Sequence, residues 1–128
     1  MLKFKIVARP NPRDRTLPEK YYLSVISQQN VDLDYIARDI SEKSSLSEGD
    51  VMSVVTSLIK LIPRELSYGR TVSLGDMGTF RLTVSSEGAE TREEVGTDLI
   101  RKVNFRFRPT SKVKQLLGDL KYQRAEFI

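Results

Sequence analysis

The sequence predicts an α+β fold in the order β-β, α-α, β-β-β, α. Three observations predict it. Apolar residues alternate with charged ones at Leu2, Phe4 and Ile6, and again at Val103, Phe105 and Phe107. Two helical stripes follow each other between those regions, Leu33-Ile36-Ala37-Ile40 and Val51-Val54-Val55-Leu58-Ile59-Leu61-Ile62. Period 2 marks half-buried strands, and the i, i+3, i+4, i+7 pattern marks helices. Helices grouped together and followed by a run of strands argue against a parallel α/β architecture.

Each element has a local reason. Residues 9–20 contain Pro10, Pro12 and Pro18 and read as an extended loop between two strands, the second spanning Tyr21 to Ser27. Asp32 is an N-cap for the first helix. Ser47 to Asp50 resembles a capping box for the second. Pro63 is expected to kink or end that helix, because its nitrogen cannot donate to the Ile59 carbonyl. Tyr68-Gly69 is the expected stop. Short strands are expected at Thr71–Leu74 and Thr79–Val84, and a longer one over 99–108, closed by Pro109. Thr110 or Ser111 caps a last helix with the stripe Val113, Leu116, Leu117, Leu120. Residues 121–128 are expected to be a fraying tail. The wide apolar face of the second helix exceeds what one small domain covers, which implies a dimer core.

The 128 residues have no Cys, no His and no Trp, with 21 Lys+Arg against 17 Asp+Glu. No disulfide, thiolate nucleophile, Cys-ligated zinc or imidazole base is available. The chain is therefore not expected to be an enzyme and is expected to use no cofactor. The first residues carry charges within their apolar stretch, unlike a signal peptide. No run approaches the roughly 18 apolar residues of a membrane span. A soluble, intracellular protein with neither a membrane nor a small-molecule substrate as partner is expected. Charge is segregated: residues 99–128 are net +6 and residues 87–98 net −4.

From residue 31 to roughly residue 117 the sequence resembles the bacterial histone-like HU and integration host factor family. Glu42-Lys43-Ser44-Ser45-Leu46-Ser47 is similar to that family's turn between its first two helices. Gly69 to Leu74 is similar to the approach to its sheet. Gly78-Thr79-Phe80 matches its Gly-Thr-Phe signature, and Phe107-Arg108-Pro109 with Lys112-Val113-Lys114 is similar to its last strand and the start of its last helix. The added N-terminal hairpin, with Arg9 to Pro12 and Tyr21-Tyr22, resembles the HU-like branch of Bacteroidetes, whose members can carry extra domains. The expected organisation is one HU-like domain over 1–128, made of a hairpin extension (1–30), a core (31–120) and a tail (121–128).

The resemblance implies an intertwined homodimer binding double-stranded DNA in the bacterial nucleoid, hence in the cytoplasm. The DNA would lie in a β-sheet saddle with little sequence preference. It also implies two arms, here residues 81–106, that reach around the minor groove. The arm lacks the family's proline wedge, and its tip, Ser86 to Glu94, is acidic. Carboxylates repel phosphates, so an HU-fold dimer serving as a protein-interaction or structural module is the alternative.

The candidate DNA contacts are Arg81, Thr83, Arg101, Lys102, Arg106, Arg108, Lys112 and Lys114. Lys102, Arg106 and Arg108 share one strand face, and the other reading of that face is ordinary solvated surface. Lys112 and Lys114 open the last helix, where its dipole favours an anion or where they are simple surface lysines. Arg9, Arg13 and Arg15 lie in the Pro-rich loop, as a phosphate clamp or as mobile surface. Phe80, Phe105 and Phe107 are expected in the core, and Tyr21 and Tyr22 in hairpin packing. Asp32, Asp34 and Asp39 are assigned to capping and dipole compensation rather than to a cation. Gly75 to Gly78 is a turn and not a phosphate loop, since no Lys-Ser/Thr follows.

Overall fold

A computed structural model describes residues 1–125. Its elements are β1 (Leu2–Arg9), β2 (Lys20–Val25), α1 (Leu33–Glu42), α2 (Glu48–Ser67), β3 (Val72–Ser73), β4 (Gly78–Ser86), β5 (Ile100–Pro109), α3 (Ser111–Gly118) and β6 (Tyr122–Arg124). Two 3-10 turns, Arg92–Glu94 and Thr97–Leu99, lie between β4 and β5. The described residues form two compact units, one of residues 1–30 with 116–125 and one of residues 31–115.

In the first unit β1 and β2 pair antiparallel, and β6 adds to the other side of β1 in parallel, giving the order β2-β1-β6. Residues 122–124, expected in the tail, are therefore a strand, while 126–128 lie outside the described residues. Three residues are too few to show a period. β6 is held by main-chain bonds to a strand more than a hundred positions away, including Leu2 N–H to the Lys121 carbonyl at 2.9 Å and Ala125 N–H to the Phe4 carbonyl at 3.0 Å.

The second unit holds α1 and α2 with the sheet β3-β4-β5. Asp32 caps α1, its Oδ1 accepting from Tyr35 N–H at 2.9 Å, and Ser47 caps α2, its Oγ accepting from Asp50 N–H at 3.1 Å. Asp32→Ala should lower stability by about 1 kcal/mol, because one helix N–H loses its acceptor; urea denaturation monitored by circular dichroism checks it. Pro63 does not end α2, which runs on to Ser67. The turn beyond Pro63 places Leu66 in the core at 1% exposure, and that burial outweighs the hydrogen bond proline cannot make.

The helix closes in a Schellman motif. Gly69 N–H donates to the Leu66 carbonyl and Arg70 N–H to the Glu65 carbonyl, with Gly69 at φ 78°. Arg70 also binds the Glu65 carboxylate at 2.6 Å. That hydrogen bond holds the Glu65 carboxyl below the ordinary glutamate range.

Among the described residues only Ala37, Val51 and Leu66 are fully buried hydrophobics. Four residues expected in packed interiors are open in the single chain: Phe105 at 58%, Phe107 at 40%, Tyr21 at 75% and Tyr22 at 48% exposure. α3 ends at Gly118, so Leu120 of the expected stripe lies beyond it.

Candidate nucleic-acid interface

The antiparallel register of β4 and β5 sorts their side chains by face. Thr79 faces Arg108, Arg81 faces Arg106, Thr83 faces Asn104, and Ser85 faces Lys102. Directly opposed residues share a face, so one face of the ribbon is wholly polar. The other carries Phe80 with Phe107, Leu82 with Phe105, and Val84 with Val103. The Phe80 ring lies 4.8 Å from Phe107 and 5.5 Å from Phe105, both tilted.

The polar face thus gathers Arg81, Lys102, Arg106 and Arg108. Their charges are uncompensated: among the described residues no carboxylate lies within ion-pair distance of any of the four. Arg81 directly opposite Arg106 is a like-charge cross-strand pair, an arrangement that costs stability. Between and beside these cations stand hydroxyl and amide groups. Asn104 Nδ2 donates to Ser85 Oγ at 3.0 Å, and the Ser73 and Thr79 hydroxyls are 3.0 Å apart. Sequence reasoning alone places Asn104 on this face but misses Ser73, Thr79 and Ser85. Parity counted from Arg81 along β4 is the signal for Thr79 and Ser85, whereas Ser73 is found only through the β3–β4 register.

Arg101 is set differently. Ser85 pairs with Lys102 and Ser86 with Ile100, so Arg101 is the extra residue of a bulge. Its Nε lies 3.6 Å from the Glu87 carboxylate. Glu87 N–H in turn donates to the Leu99 carbonyl at 2.9 Å, closing the base of the loop that carries the acidic segment.

At the opposite end of the ribbon, Lys112 Nζ lies 3.1 Å from the Asp76 carboxylate, and the Thr110 hydroxyl donates to the Asp76 carbonyl. Asp76 thereby fastens the β3–β4 turn to the start of α3. Lys114 has no such pair among the described residues. It lines an open recess of about 390 Å³ with Arg108, Thr79, Thr110 and Ser111. Arg13 and Arg15 remain in the loop between β1 and β2, whereas Arg9 is the last residue of β1.

The arrangement suits the binding of an extended polyanion. Fixed guanidinium and ammonium groups on a pleated ribbon present several charge-assisted donors at once. Among the described residues no group of His, Cys, Asp and Glu could hold a metal ion, and no helix is long and apolar enough to cross a membrane.

Comparison with solved structures gives the same architecture. A candidate DNA-binding protein from Bacteroides vulgatus ATCC 8482 superposes with a TM-score of 0.65 at 10% identity, over 96% of this chain and 47% of that one. This chain thus spans about half the length of that protein. HU from Anabaena, in a cocrystal with DNA, superposes with a TM-score of 0.55 at 15% identity, over 70% of this chain and 99% of that one. No curated protein sequence matches the chain. The pattern of the HU-HIG family, described as an HU domain fused to a wHTH, Ig or glycine-rich motif, matches residues 1–124. With that match over nearly its whole length, and with the fold of an HU protein, the chain belongs to the HU-HIG family.

Proposed function

We propose that this chain is an architectural protein that binds duplex DNA as a homodimer, largely independently of sequence. The observation that carries the reading is the β4–β5 face, where Arg81, Lys102, Arg106 and Arg108 stand together without a carboxylate partner among the described residues. A protein that keeps Arg81 opposite Arg106 gives up stability, and a phosphate backbone supplies the missing anions. Phosphate contacts position a duplex but carry no base information, which accounts for the low sequence preference. Thr83 on the same face and Lys114 beside Arg108 extend the surface. Arg101 and Lys112 can exchange their exposed ion pairs for phosphate, since such pairs contribute about 0–1 kcal/mol. The Anabaena relative is an HU protein crystallised with DNA, which supports the same use of the fold here.

Dimerisation rests on uncovered apolar surface. The chain exposes 11172 Å². Surface scaling gives about 6,900 Å² for one globular chain of this mass, and roughly 8,200 Å² even for two separate globules. The excess includes Val54 and Ile59 of α2 and the face of Leu82, Val84, Val103 and Phe105. A second copy covers it.

Titration of duplex DNA at 50 and 200 mM salt, with sedimentation for mass, tests both parts. Four phosphate contacts from each of two chains predict an affinity loss of about 10⁴-fold across that range. A dimer mass with salt-steep binding is expected. No binding at 50 mM salt, or binding indifferent to salt, overturns the reading. That outcome favours the protein-interaction module suggested by the acidic loop, where Glu87, Glu90, Glu93, Glu94 and Asp98 outnumber Arg92.

A further inference from the structure

The β1–β2 hairpin repeats, in the other unit, the charge arrangement of the β4–β5 ribbon. Its register pairs Ala8 with Tyr21, Ile6 with Leu23, and Phe4 with Val25, and these fill one face. The other face takes Arg9 opposite Lys20, Val7 opposite Tyr22, and Lys5 opposite Ser24, with Lys3 next in line. One side is therefore apolar and the other basic. Both faces are open in the single chain: Ile6, Tyr21, Leu23 and Val25 are exposed on the apolar side, and Lys5, Arg9, Lys20 and Tyr22 are exposed on the basic side.

Solvated sheet faces ordinarily intersperse both signs of charge. This one has four cations and no carboxylate. Among the described residues no ion pair involves Lys3, Lys5, Arg9 or Lys20. The unit's two nearest acids in sequence lie off the strands. Asp14 accepts from the Thr16 hydroxyl at 2.5 Å and from Thr16 N–H at 3.0 Å, and Glu19 precedes β2. Arg9 opposite Lys20 is again a like-charge cross-strand pair, the same unfavourable device as Arg81 opposite Arg106. Arg9, Lys20 and Tyr22 also line a recess of about 440 Å³, with Glu19 on its wall. A half-exposed tyrosine among cations adds a hydroxyl donor and a flat surface to the phosphate-binding groups.

We infer that the Lys3-Lys5-Arg9-Lys20 face of the N-terminal sheet is a second contact surface for the phosphate backbone of duplex DNA. The inference rests on the reading that this protein binds DNA, and it adds a surface that the HU-like core does not contain. Two basic faces on two units let one chain engage two stretches of backbone.

Salt titration of the parent chain, two variants and their combination with a 40-base-pair duplex separates the two surfaces. Each phosphate contact contributes about 0.9 to the slope of log affinity against log salt. Lys3→Gln/Lys5→Gln/Lys20→Gln, which removes three contacts from each chain of the dimer, is expected to lower the slope by about 5, leaving residual binding through the ribbon. Arg81→Gln/Arg106→Gln is expected to lower it independently, so that the two decreases add in the combined protein. A parental slope in the first variant overturns the second surface and leaves the ribbon reading intact. A parental slope in the second variant, with a decrease in the first, overturns the ribbon reading and leaves this surface. Absence of duplex binding in the unmodified protein overturns both. Neutralising Lys20 relieves its repulsion with Arg9, so the first variant should melt no lower than the parent. If it fails to fold, Lys5→Gln alone, which removes one contact from each chain of the dimer, should still lower the slope by about 2, and an unchanged slope there counts against the inference.

Discussion

Reversing two charges, Arg106→Glu/Arg108→Glu, should weaken duplex binding at 0.1 M salt by at least about 1,000-fold while leaving the fold more stable than the parent. The two effects have one cause. Removing a cation from one phosphate lowers affinity by about a decade at that salt, and in a dimer the double substitution removes four such cations. In the same substitution, Glu at position 106 lands directly opposite Arg81. A repulsive cross-strand pair becomes an attractive one, which contributes roughly 0.2–1 kcal/mol. Fluorescence anisotropy on a labelled duplex and thermal melting of the free protein read the two quantities separately. Affinity and stability moving in opposite directions identify a surface kept unfavourable for the sake of its ligand. A variant that binds like the parent, or that loses both binding and fold, contradicts the assignment.

Gly78→Ala should cost at least about 3 kcal/mol and abolish binding through loss of the fold. A Cβ at this position would fall onto the carbonyl oxygen of Arg108 and within 2.7 Å of the Phe107 ring. Gly78 is buried, sits at φ 157° and pairs with Pro109. The Arg108 carbonyl is backbone held in the β4–β5 ladder and cannot yield. Gly75→Ala serves as the control. Its φ of 51° favours glycine, but a Cβ there meets nothing within 4 Å, so only about 1–2 kcal/mol is expected. Denaturant unfolding at matched protein concentration measures both, and equal destabilisation at the two positions would refute the packing argument. The Gly-Thr-Phe tripeptide is thus explained residue by residue. Gly78 admits the neighbouring strand, Thr79 puts its hydroxyl on the polar face beside Ser73, and Phe80 joins the aromatic trio beneath.

Much of this molecule is legible from local chemistry. Asp32 and Ser47 mark helix starts because a short acceptor side chain beside a free N–H has few better uses. The alternation at 102–108 shows the basic face because a strand has period 2. Pro63 carries a local cost smaller than the burial of Leu66 beyond it, so α2 runs on to the Tyr68-Gly69 stop that the sequence marks. Residues 122–124 mislead, since β6 has no local signal and exists through β1. Among the candidate DNA-binding residues, the sequence shows that Arg101 and Lys112 are basic but not that Glu87 and Asp76 stand beside them. The bulge that displaces Arg101 depends on how β4 and β5 are registered, which no single strand specifies. The same holds for Lys20. Its place opposite Arg9 depends on hairpin pairing across a Pro-rich loop, so the second basic face stays hidden until that register is known.

The most direct measurement is the nuclear magnetic resonance spectrum of the arginine Nε–H groups while a duplex is added. Contact with phosphate shifts these signals and slows their exchange with water. The account predicts that Arg81, Arg106 and Arg108 respond together at the lowest DNA concentrations. Arg38 and Arg64, which lie on the helices, should stay unchanged. Shifts in Arg38 and Arg64 with none in Arg81, Arg106 and Arg108 would contradict it.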